Sequence, residues 1–157
     1  MSNSVKAKII RTALVFVYGT LKRGEPNASI MTDPATGIQK FVGTGKTVSA
    51  YPLIIASESN IPFCLDKPGT GHRIKGELYE VDEEKLRALD EFEGHPTFYK
   101  RKLQQVEMNG NGNIVTAWMY MLPKWTPSLL QTSTDYLETY NSNGSHNRPY
   151  IERSKIL

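Results

Sequence analysis

The chain alternates short apolar runs with turn residues, and only one segment has a clear helical period. Leu14 to Val17 is a β-branched apolar run ended by Gly19, which predicts a buried strand leaving into a sharp turn. Pro26 to Thr32 has room for one or two helical turns. Val42 to Ala50, Leu53 to Ala56 and Ile74 to Val81 read as strands, separated by turns at Tyr51-Pro52, Pro68-Gly69 and Gly71. Asp82 to Phe92 is the helix. Asp82 is placed to cap it, Glu83 and Glu84 occupy the first turn where the dipole favours acids, and Gly94 with Pro96 ends it. Phe98 to Met108 and Ile114 to Met121 are two more strands around the Asn/Gly-rich loop Asn109 to Asn113, a hairpin signal. A short helix is expected within Ser128 to Tyr140. Many short strands, hairpin chemistry and few helices predict an α+β fold, a small and mainly antiparallel β-barrel with a few flanking helices.

The 157 residues suit one domain, taken as residues 12–157 behind a flexible basic lead-in at 1–11. Lys plus Arg number 19 and Asp plus Glu 16. Five of those cations (Lys6, Lys8, Arg11, Lys22 and Arg23) precede the first acid, Glu25; the reading is a solvated end, with no nucleic-acid partner. The single cysteine, Cys64, excludes an internal disulfide. The apolar run Ala13 to Val17 is shorter than the about 7–15 residues of a secretory signal, and no stretch reaches the about 18 residues of a membrane span. A cytoplasmic setting follows as the expectation, with no membrane partner, and the sequons at Asn27 and Asn143 are then chance.

Several apparent motifs fall away. Gly43-Thr44-Gly45-Lys46-Thr47 resembles the end of a phosphate-binding loop, but Lys40 stands where the first glycine belongs and β-prone residues follow, so a strand with a glycine bulge is the reading. His72, His95 and His146 lack paired ligand spacing, so no metal site is expected. Cys64 reads as a small buried hydrophobe.

Two features do suggest chemistry. At about 100° per residue, Glu93 projects between Leu86 and Leu89 on the face that should meet the core, while Glu84, Arg87 and Glu91 lie opposite. A carboxylate on a buried face is costly unless paired or used; the alternative is a frayed last turn that leaves Glu93 in solvent. The turn Tyr18-Gly19-Thr20-Leu21 can present unpaired backbone N–H groups as a cradle for a carboxylate or oxyanion, with Gly19 allowing close approach; the alternative is a plain turn.

The run Leu14-Val15-Phe16-Val17-Tyr18-Gly19-Thr20-Leu21-Lys22-Arg23-Gly24 resembles the opening motif of the gamma-glutamyl cyclotransferase-like family, most closely its gamma-glutamylamine cyclotransferase branch. Tyr51-Pro52-Leu53, Asn60-Ile61-Pro62, Pro68 to Gly71, Gly76 to Tyr79, Val81-Asp82-Glu83, Leu89-Asp90, Phe92-Glu93, Tyr99 and Arg101 continue the likeness in order. The segment Asn143 to Tyr150 diverges from it.

The resemblance implies a small β-barrel that uses no metal or organic cofactor. It releases 5-oxoproline from a γ-glutamyl amine, the small-molecule substrate, with lysine as the typical leaving amine. It also implies that Glu93 is the catalytic acid and base, that Tyr18, Gly19, Thr20 and Leu21 bind substrate, and, more loosely, that Tyr99 lines the site. The chemistry suits these residue types, because the substrate's own α-amino group is the nucleophile and only a base and an oxyanion cradle are wanted. A non-catalytic binding module on the same fold, or a cyclotransferase for γ-glutamyl α-amino acids, stays open at this point, as does the oligomeric state.

Overall fold

A computed structural model of the chain describes residues 11–152. All of the expected basic lead-in except Arg11 therefore lies outside the described residues, as do residues 153–157. In chain order the elements are β1 (Thr12–Val17), α1 (Ala28–Thr32), a 3-10 turn (Pro34–Thr36), β2 (Gln39–Tyr51), β3 (Leu53–Ala56), β4 (Ile61–Cys64), β5 (His72–Asp82), α2 (Glu83–Glu93), β6 (Lys100–Met108), β7 (Ile114–Met121) and α3 (Pro127–Gln131).

Five strands close into a barrel in the order β1-β5-β2-β6-β7. Four of the junctions are antiparallel. The fifth closes the barrel by parallel pairing of β1 with β7 at Val15 and Trp118. The expected α+β barrel is thus present, with one parallel seam. The second half of β1 is apolar on both faces because both are covered: Val15 and Val17 enter one buried cluster, Phe16 and, just past the strand, Tyr18 the other. The glycine bulge is present, since the β2–β5 register shifts between Phe41 and Gly43, and Gly43 has φ +157°.

The short hairpin of β3 and β4 lies outside the barrel, fully buried along β3. The sequence reading placed no strand at β4. Pro62 weakens the strand signal there, yet it sits opposite Ile55 in a two-stranded ladder that tolerates a missing donor. The tail helix is shorter than expected and ends at Gln131.

The helix α2 forms as its residues dictate. The Asp82 side chain accepts from the Lys85 N–H, and Gly94 adopts the left-handed conformation at the C-cap (φ +68°) with its N–H on Asp90 O and Glu91 O. Glu84, Arg87 and Glu91 are exposed and Leu89 is buried, but Leu86 is only half-buried and Lys85 is fully buried. The Lys85 ammonium donates to Ile30 O (3.3 Å), Asp33 O (2.8 Å) and Thr36 Oγ1 (2.8 Å), so α2 is tied to the end of α1 and the turn after it. No described helix is long and apolar enough to cross a membrane.

Candidate active site

Glu93 is the last residue of α2, and the chain after it holds it in place. Phe98 N–H donates to Gly94 O at 2.8 Å and Tyr99 N–H to Glu93 O at 3.4 Å, so the segment folds back on the helix end and does not fray. The residue keeps part of its surface open to a pocket while protein atoms surround its carboxyl. Among the described residues no cation pairs with it. Burial alone pushes the carboxyl pKa from 4.5 to about 8.

The loop after β1 is held from several sides. Tyr18 is buried and its hydroxyl donates to Tyr120 O at 2.6 Å. Burial raises its pKa well above the usual phenol value, with Cys64, Tyr99 and Glu93 adding smaller effects of the same sign. Lys22 N–H closes a turn onto Gly19 O (3.2 Å), and Asn27 N–H donates to Thr20 O (2.8 Å). Among the described residues, the backbone N–H groups of Gly19, Thr20 and Leu21 have no protein acceptor. The missing Gly19 side chain makes room for Pro62, whose Cγ would stand 3.1 Å from an added Cβ.

A half-buried polar network fixes the helix end to the barrel. Tyr120 of β7 donates to Asp90 Oδ1 at 2.6 Å, and Arg101 of β6 donates to the same carboxylate through Nε (2.8 Å) and Nη2 (3.3 Å). The Arg101 guanidinium also lies over the Trp118 ring, 4.2 Å from its centroid. Asp90 is one turn before Glu93, so this fork sets where the Glu93 turn stands over the strands.

One pocket of about 240 Å³ receives both parts. Tyr18, Gly19, Thr20, Leu21 and Glu93 all line it, as does Tyr99, whose hydroxyl donates to Pro62 O at 3.2 Å. Phe92 and Phe98 are about 40% exposed and form the rim, in contrast with the buried Phe16, Tyr99 and Tyr120. Sequence reasoning missed Asn27, Tyr120 and Tyr150 in the lining. Asn27 stands at the N-cap of α1, yet its side chain donates to Thr20 Oγ1 (3.0 Å), a role that no local pattern signals. Among the described residues no group of three or more His, Cys, Asp and Glu side chains is placed to hold a metal ion. Cys64 is buried outside the pocket, and burial raises its thiol pKa far from the reactive range.

The same fold recurs in a known protein, and the sequence is similar to those of others. A rat protein named gamma-glutamylaminecyclotransferase is 44% identical over 147 residues, which cover 90% of this chain and 97% of the rat protein. A human protein of the same name is 40% identical over 151 residues, covering 90% and 97%. The crystal structure of a mouse AIG2-like protein superposes with a TM-score of 0.86 at 44% identity, covering 91% of this chain and 97% of the mouse chain. The family model described as "Gamma-glutamyl cyclotransferase, AIG2-like" matches residues 15–141, a span that takes in the β1 loop, Glu93 and the Asp90 network, and the chain belongs to that family.

Proposed function

We propose that this chain is a gamma-glutamylamine cyclotransferase that converts a γ-glutamyl amine, with γ-glutamyl-ε-lysine as the preferred substrate, into 5-oxoproline and the free amine. The observation that carries this reading is the meeting, in one pocket, of a desolvated carboxyl with a pKa of about 8 and a loop whose three successive N–H groups lack acceptors. The shared name of the rat and human relatives supports the choice of reaction.

The substrate's α-amino nitrogen attacks its own γ-carbonyl carbon, closing a five-membered ring and placing negative charge on the carbonyl oxygen. An α-ammonium group is no nucleophile, and the free α-carboxylate beside it holds its pKa above the about 7.7–8.0 of a peptide terminus. A carboxylate raised to about 8 takes that proton far more readily than an ordinary carboxylate would, which brings the transfer nearer to balance. Backbone N–H groups of Gly19, Thr20 and Leu21 receive the oxyanion, an effect worth about 10²–10³ in rate per donor. Glu93 gives its proton to the leaving nitrogen and takes the second proton of the attacking nitrogen. Collapse of the tetrahedral intermediate then breaks the bond to the leaving amine, which as the stronger base finally removes that proton from Glu93. No side-chain nucleophile is consumed, because the γ-glutamyl group carries its own. The reading places the enzyme in the cytoplasm.

Incubating the purified chain with γ-glutamyl-ε-lysine and with a γ-glutamyl α-amino acid, then quantifying 5-oxoproline and free amine, tests this reading. Release of lysine in preference to the α-amino acid is expected. Binding of 5-oxoproline without turnover of either compound would make the chain a binding module.

A further inference from the structure

We infer that Arg148 is a positioning residue: it clasps the C-terminal segment to the β3–β4 turn and so holds Tyr150 in the pocket rim, where the leaving amine passes. The inference rests on the proposed reaction for what passes the rim, though not for the clasp itself.

Among the described residues, the C-terminal segment meets the pocket through Tyr150. This residue is far in sequence from the other lining residues and belongs to no helix or strand, so something outside regular structure must hold it. The holding group is the Arg148 guanidinium, which is half-buried. Its Nε donates to Asn60 Oδ1 (3.0 Å), Nη1 to Ile55 O (3.1 Å) and Thr132 O (2.6 Å), and Nη2 to Ser57 O (3.2 Å). Backbone bonds flank this fork: Asn60 Nδ2 donates to Pro149 O (2.8 Å), Ile151 N–H to Ser59 O (2.9 Å) and Tyr150 N–H to Ser142 Oγ (2.9 Å).

The turn that receives the guanidinium is itself unusual. Ser57 and Asn60 have φ +68° and +53°, a left-handed conformation that asparagine enters readily and serine seldom does. Arg148 braces the turn by donating to acceptors at both ends. The two residues directly after Asn60, Ile61 and Pro62, line the same pocket as Tyr150. One planar cation thus fixes two walls at once, a task for a rigid five-donor fork that a lysine ammonium cannot share. Tyr150 keeps part of its surface exposed, as the rim residues Phe92 and Phe98 do, whereas the floor at Tyr18, Tyr99 and Tyr120 is buried. A γ-glutamyl group seated on the floor leaves the amine portion to cross that rim.

The test compares the full-length wild type with Arg148→Ala, Arg148→Lys, Tyr150→Ala and the Ala/Ala double variant, using γ-glutamyl-ε-lysine and γ-glutamylmethylamine as substrates with hydrogen exchange alongside. In Arg148→Ala the amides of Tyr150 and Ile151 should lose at least about tenfold in protection while those of β1 and β5 keep theirs. KM for γ-glutamyl-ε-lysine should rise roughly tenfold, with kcat and the methylamine substrate changed by less than about twofold. Tyr150→Ala should show the same split, the double variant should be little worse than either single one, and Arg148→Lys should not restore the wild-type KM. Retained protection at residues 150 and 151, protection lost across β1 and β5 as well, or equal losses on both substrates would overturn the inference. If the wild type turns over neither substrate, the proposed reaction fails, and the exchange result alone decides the clasp.

Discussion

The Tyr120 hydroxyl lies 2.6 Å from Asp90 Oδ1 and so joins the last barrel strand to the turn of α2 that precedes Glu93. Burial, followed by the bond to Asp90, drives the Tyr120 phenol pKa far upward, so the proton stays on the tyrosine and the bond keeps its direction. Tyr120→Phe removes that donor from a carboxylate that retains Arg101. A loss of about 1.5–3 kcal/mol is expected for a hydrogen bond to a charged group, read as a melting point lower by about 2–4 °C per kcal/mol. Turnover should fall with it as the Glu93 turn loosens. Thermal melts and steady-state rates check both; an unchanged rate would separate Asp90 from the site.

The raised pKa of Glu93 makes stability depend on pH with a definite sign. The folded value, about 8, lies above the unfolded value of 4.5, so folding favours the protonated carboxyl. Its contribution is complete below pH 4.5 and is lost as the pH rises through about 8. Urea denaturation from pH 5 to 9 should show wild-type stability declining across this window relative to Glu93→Gln. With Glu93 as the proposed base, turnover runs the other way, because the base must be ionised: kcat/KM should rise towards pH 8 on an apparent pKa near that value.

Gly19 faces Pro62 at a distance that leaves little room for a methyl group. Gly19→Ala should fold, because the contact of 3.1 Å needs only a shift of a few tenths of an ångström. That shift moves the donors of the cradle, and displacements of about 1 Å can cost up to about 10² in rate. A fall in kcat larger than the rise in KM is the expected pattern, and Gly19→Val should exceed it.

Lys85 is expected to be structural. Lys85→Met keeps the buried stem and removes the donor to Ile30 O, Asp33 O and Thr36 Oγ1, of which Asp33 O retains its bonds from Thr36 N–H and Oγ1. The loss falls on the other two part-buried acceptors, each worth about 1–3 kcal/mol less whatever water recovers. A melting point lower by several degrees, with kcat retained in the folded fraction at lower temperature, is the expected outcome.

Local chemistry made much of this molecule legible. Asp82, Glu83, Glu84 and Gly94 mark the ends of α2 by capping rules that need no tertiary context, and the hairpin around Asn109 to Asn113 is equally local. The helical period placed Glu93 on the inward face, and the structure puts it in the pocket wall. What sequence could not show depends on distant partners. Lys85 reads as a surface lysine until Ile30, Asp33 and Thr36 are seen around it. Tyr120 reads as one aromatic of a strand until Asp90 meets it, and Arg148 sits in a polar tail whose fold is set by acceptors about 90 residues earlier. β4 stayed hidden because four residues with a proline carry little strand signal alone.

The central claim is that the Glu93 carboxyl moves the proton that ring closure requires. It is tested most directly by single-turnover release of 5-oxoproline from γ-glutamyl-ε-lysine by wild type and Glu93→Gln, each first shown to melt cooperatively and to bind 5-oxoproline. A rate for the glutamine variant lower by about 10²–10⁴, with product binding retained, is the expected result. Release within a few-fold of wild type would contradict it.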